Sequence, residues 1–103
     1  DWKEPAPVLD KVREETDEVE EALRSRDAAA VSDEIGDLIF TAINLARVSG
    51  VDPETALRAT NRKFERRFAF VERAIAAQGK TMEQATLDEM EAAWVRAKTE
   101  SPD

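Results

Sequence analysis

A chain of 103 residues, 42% hydrophobic and 37% charged, is sized for one globular domain near the lower end of what can build its own core. Its formal net charge of −8 argues against binding nucleic-acid polymers, whose phosphates attract positive proteins. With neither Cys nor His, disulfides, zinc-thiolate sites, thiol catalysis and the commonest general base are excluded.

The chain starts at Asp1 without Met, which suits a domain excised from something longer. Pro5 and Pro7 mark an extended lead-in over residues 1–7, and a first helix starts by Val8 and ends near Asp27. Its apolar positions Val8, Val12, Val19 and Leu23 share one helical face. A second helix spans Ala28 to Ser49, with Gly50 placed as its C′ residue. Asp52-Pro53-Glu54 restarts the chain with an N-cap, a first-turn proline and a first-turn acid. The third helix carries Leu57, Phe64, Phe68, Val71 and Ile75 on one face and stops at Gly79, with Asn61 on the core side. Residues 80–85 connect with one short turn, and Thr86-Leu-Asp-Glu89 has capping-box spacing for a fourth helix through Lys98. Residues 99–103 read as a tail. Nothing alternates with period two, so the expected fold is all-α: four helices in a single domain over residues 1–103. No apolar run reaches the ~18 residues of a membrane span, and no signal peptide is visible, so a cytoplasmic location without membrane contact is expected.

The run VREETDEVEEAL in the first helix crowds six acidic side chains into Glu14–Glu21. On a wheel of ~100° per residue they separate. Glu15 falls inside the apolar arc, Lys11 and Glu18 line its edge, and Glu14, Asp17, Glu20 and Glu21 lie mostly further round. On the second helix Ile35, Leu38, Ile39, Ala42 and Ile43 form a broad apolar face, and Phe40 lies nearly opposite its centre. A helix apolar on both sides is buried from both sides, which in so small a chain points to a second subunit. Glu34 and Asp37 stand one turn apart on a shared flank, and the bare Gly36 between them permits close packing or ligand approach. Glu15, Glu18, Glu34 and Asp37 can therefore converge. Such a gathering is costly unless cations neutralise it, and an oxygen-only site suits Mg²⁺, Mn²⁺ or Ca²⁺. The competing reading is a helix of solvated charges.

The third helix contains NRKFERRF at residues 61–68. Lys63 and Arg67 flank its apolar face, and serve either as surface ion-pair partners or as a phosphate clamp. On the fourth helix Trp94 and Lys98 share a face with Leu87 and Glu91. Trp94 is either core or a support for a substrate.

Taken together, Glu14-Glu15-x-x-Glu18 and Glu34-x-x-Asp37 resemble the EExxE…ExxD signature of the all-α MazG-type nucleoside triphosphate pyrophosphohydrolases. Residues 33–68 resemble that family's second-to-third helix segment, and EMEAAWVRAK at residues 89–98 its closing helix. The likeness is greatest to the C-terminal, catalytic domain of two-domain members. It implies Mg²⁺ held by Glu15, Glu18, Glu34 and Asp37, with Mn²⁺ as a substitute and Glu14 beside them aiding water activation. It further implies Lys11, Lys63, Arg67, Trp94 and Lys98 on the nucleotide, Lys63 and Arg67 acting in catalysis. Asp33 departs from the Glu common among relatives, which puts a direct metal role there in doubt. The expectation is a homodimer that hydrolyses nucleoside triphosphates to monophosphate and pyrophosphate. The alternatives are a phosphoribosyl-ATP or dUTP pyrophosphohydrolase, or a non-catalytic dimerisation or regulatory module.

Overall fold

A computed structural model describes residues 3–100. It contains four helices, α1 (Pro5–Ser25), α2 (Ala28–Val48), α3 (Pro53–Ala77) and α4 (Leu87–Glu100), and no strand among the described residues. The fold is all-α, as the periodicity predicts. The chain divides into two compact units, Asp1–Glu54 and Thr55–Asp103.

In the first unit α1 begins at Pro5, three residues before the expected start. Proline is tolerated there because first-turn N–H groups have no intrahelical acceptor, and its fixed φ suits a helix. The extended lead-in therefore shrinks to the residues before Pro5, of which Asp1 and Trp2 lie outside the described residues, as do residues 101–103 of the expected tail. The fourth helix itself runs through Glu100, two residues past Lys98. Helix α1 stops at Ser25 because Arg26 takes a left-handed conformation (φ 58°) and its N–H bonds Leu23 O at 3.3 Å. Asp27 then belongs to α2, accepting from Ala29 N at 3.0 Å and Ala30 N at 3.3 Å. That two-residue reversal folds α2 back onto α1.

Along α1 the buried residues are Val8, Glu15 and Ala22, one every two turns. The seam is narrower than the apolar arc of the sequence, and Leu23, placed on it from periodicity, is 57% exposed. One residue further along the chain turns a side chain ~100° away from Ala22. On α2 Ile35, Ile39, Phe40 and Ile43 are exposed, and the buried residue is Thr41. Gly50 follows the Ser49 cap at φ 73°, the left-handed position expected of it. Asp52 Oδ1 accepts from Glu54 N at 3.2 Å, confirming the restart.

The second unit has a small core of Val71 and Ile75 from α3 and Ala93 and Ala97 from α4, with Phe70, Ala74, Met82, Ala85 and Trp94 packed against it. Only the C-terminal part of α3 contributes to it. Leu57, Phe64 and Phe68 are exposed and so is Asn61, contrary to the continuous core face expected of this helix. Periodicity marks the apolar stripe but not how far along it a neighbouring helix reaches. Gly79 turns the chain at φ 76°. The Thr86 capping box forms as predicted: Glu89 N donates to Thr86 Oγ1 at 3.1 Å, and Thr86 N to Glu89 Oε1 at 2.8 Å. Lys80 Nζ ion-pairs with the other oxygen, Glu89 Oε2. These contacts hold the Glu89 carboxyl below its ordinary pKa, the Lys80 hydrogen bond contributing most and the Thr86 N–H next.

Candidate active site

Of the acidic residues on α1 Glu15 is buried, inside the apolar arc, whereas Glu18, placed at the edge of that arc, is exposed like Glu14. Glu15 is 5% exposed, with Oε1 lying 3.3 Å from Lys11 Nζ. Its Oε2 is buried without a hydrogen-bond partner, and so is Glu34 Oε2. Carboxylate oxygens of Glu15, Glu18 and Glu34 come within 4.8 Å of one another, and so do those of Asp33, Glu34 and Asp37. Glu34, shared by both groups, links all four residues singled out as metal ligands. Glu14 is exposed and belongs to neither group. Asp33, doubted for its short side chain, stands with Glu34 and Asp37. The backbone brings it close enough, which length alone does not reveal.

Buried carboxylate oxygens with no donor are costly, because they lose water and repel one another. Two of them, within a set of oxygen-only ligands, fit a hard divalent cation. Lys11 meets part of this charge. Its ammonium pKa is raised first by the Glu15 hydrogen bond, then by the nearby charges of Glu14, Glu15 and Glu18, so it stays charged across neutral pH.

A cavity of about 550 Å³ is lined by Lys11, Glu15 and Asp37 and, further along α2, by Thr41, Asn44 and Arg47. A second, of about 350 Å³, touches Glu18 and Glu34. Thr41, Asn44 and Arg47 were not singled out from the sequence. Their only signal there is spacing, since three and four residues along a helix bring side chains to one face.

In the second unit Lys63, Arg67 and Trp94 line one cavity of about 140 Å³ together with Phe64. The Phe64 ring lies 5.5 Å from Trp94, tilted by 47°, and 5.8 Å from Phe68, nearly parallel to it. Leu87 and Glu91 join Trp94 in an adjoining groove. Lys98 is exposed and lines neither. Three of the four nucleotide-contact residues expected in this unit are thus gathered, and the fourth stands one turn beyond Trp94.

Comparison with known proteins adds to this geometry. The chain is 46% identical over 105 residues to a nucleoside triphosphate pyrophosphohydrolase of Escherichia coli (strain K12), covering all of this chain and 40% of that protein. It is 40% identical over 98 residues to the nucleoside triphosphate pyrophosphohydrolase/pyrophosphatase MazG of Thermotoga maritima, covering 95% of this chain and 37% of that one. The chain therefore spans about two fifths of the length of these curated relatives. Residues 3–71, which include α1, α2 and much of α3, match the MazG nucleotide pyrophosphohydrolase domain, and the chain belongs to that family.

Proposed function

We propose that this chain hydrolyses nucleoside triphosphates to nucleoside monophosphate and pyrophosphate with Mg²⁺, which Mn²⁺ can replace. The observation that carries this reading is the pair of buried, partnerless oxygens, Glu15 Oε2 and Glu34 Oε2, inside a carboxylate group of a MazG-family chain. Glu15, Glu18, Glu34 and Asp37 hold the metal. When bound, the ion neutralises the polyphosphate and makes water easier to deprotonate. Water adds to the α-phosphorus, the bond from that phosphorus to the bridging oxygen breaks, and pyrophosphate leaves. Glu14, exposed beside Glu15, orients that water or takes its proton. Lys11, already in the field of three glutamates, meets a phosphate oxygen. Lys63 and Arg67 stabilise the leaving pyrophosphate, with Trp94 and Lys98 contacting the nucleotide.

The reading includes a homodimer. It is supported by the exposure of Ile35, Ile39 and Ile43 on α2 (41–56%), an apolar surface that water leaves unsatisfied. The decisive test is pyrophosphate release from a panel of ribo- and deoxyribonucleoside triphosphates, with and without Mg²⁺. Metal-dependent release is expected; a folded protein that cleaves none of them would remove the enzymatic reading.

A further inference from the structure

The larger cavity runs along α2. Lys11 and Glu15 of α1 line it with Asp37, and Phe40, Thr41, Asn44 and Arg47 follow along α2. Asn44 lies seven residues beyond Asp37 on α2, about 10 Å along the helix axis. A phosphate chain held at the carboxylates has little reason to extend so far, whereas a sugar and base do.

The polar groups further along α2 are built rather than scattered. Arg47 donates to Asn44 Oδ1 twice, from Nε at 3.2 Å and from Nη2 at 2.6 Å. Because a guanidinium only donates, these two bonds fix which way the amide faces: its oxygen is committed to Arg47, and Nδ2 is the donor it has to offer. Thr41, 8% exposed, is a hydroxyl-bearing residue of the same lining, and the exposed Phe40 adds an aromatic one. An oriented amide, a hydroxyl and an aromatic face suit a neutral polar ring system. A plain surface pair between Asn44 and Arg47 would explain the two hydrogen bonds, but not a buried threonine lining the same 550 Å³ space.

We propose that this cavity takes the nucleoside half of the substrate, with Asn44 Nδ2 donating to an acceptor oxygen, either a base carbonyl or a sugar hydroxyl. Thr41 closes the cavity around it, and Arg47 is a positioning residue that acts through Asn44. The assignment rests on the hydrolase reading above and names the part of its substrate that the first unit recognises.

Titration calorimetry of the whole chain with Mg²⁺ tests it, using UMP, ribose 5-phosphate and inorganic pyrophosphate as separate probes. Asn44→Leu should weaken UMP about tenfold, the size of one lost hydrogen bond to a ligand, and leave pyrophosphate unchanged. Thr41→Val should weaken UMP in the same direction. If ribose 5-phosphate weakens as much as UMP, Asn44 meets the sugar. If UMP alone weakens, it meets the base carbonyl. Unchanged UMP binding, or an equal loss for pyrophosphate, overturns the assignment. Should Asn44→Leu fail to fold, Asn44→Gln displaces the amide by one methylene and carries the same expectation. A wild-type chain that binds UMP in this way but releases no pyrophosphate from any triphosphate would sink the proposed activity alone. One that turns over while Asn44→Leu keeps its UMP affinity would sink the nucleoside assignment alone.

Discussion

Glu34 presents the sharpest conflict between stability and use, because a buried carboxylate oxygen without a donor is retained at a cost. Glu34→Gln removes a like charge from both carboxylate groups, so the metal-free variant should melt above the metal-free wild type. Adding Mg²⁺ should then raise the midpoint of the wild type and not of the variant, since only a native state that binds the ion gains from it. A variant that gained as much as wild type would remove Glu34 from the ligand set, whatever its activity. Glu15→Gln tests the neighbouring ligand by turnover, where a loss of a hundredfold or more is expected if it holds the ion. Lys63→Ala separates two roles: a raised KM at constant kcat marks ground-state binding, and a lowered kcat marks the departing pyrophosphate. Glu15 was legible in the sequence because a regular helix converts position into direction. Asn44 was not, because the amide gains its meaning from the Arg47 fork that orients it.

At the scale of the element, the helix boundaries follow local chemistry. Asp27→Ala should cost about 1 kcal/mol in denaturant unfolding, since it strips the acceptor from two N–H groups at the start of α2. Gly36 is different: a Cβ there would meet no atom within 4 Å, so the packing of this chain does not require a glycine. Gly36→Ala should stabilise α2 by about 0.5–1 kcal/mol. If it does so while turnover or self-association falls, the bare backbone serves a ligand or a second chain. The Thr86–Glu89 box carries a pH signature. Glu89 has a lower pKa folded than unfolded, so its contribution to stability is complete above the unfolded value, about 4.5, and is lost as pH falls through the folded one. Urea midpoints at pH 7 and pH 3 should therefore differ less in Glu89→Gln than in wild type. An equal drop in both would show that the Lys80 and Thr86 contacts give no net stability.

Among the described residues, large apolar side chains stand open on α2 and α3. Phe40 is 73% exposed, Leu57 60% and Phe64 54%, all on helices whose periodicity predicts burial. The proposed nucleoside cavity accounts for Phe40, and the proposed dimer for the other exposed apolar residues of α2, Ile35, Ile39 and Ile43. Sedimentation velocity should show a species of twice the chain mass, reduced to the monomer by Ile39→Glu, whose charge would be stranded in an apolar interface. A wild-type monomer at tens of micromolar would refute the dimer and leave the carboxylate chemistry intact.

By itself the sequence determined the four helices, the termini marked by Gly50, Asp52 and the Thr86–Glu89 box, and the inward turn of Glu15. These depend on interactions within a few residues and on the constant turn of an α-helix. Tertiary structure decided which stripes are covered, turning Leu23 and Asn61 outward and burying Thr41. It also drew Asp33 into the carboxylate group and opened a cavity beside Asn44 and Arg47. Those outcomes depend on how far one helix reaches along another, a distance that periodicity does not contain.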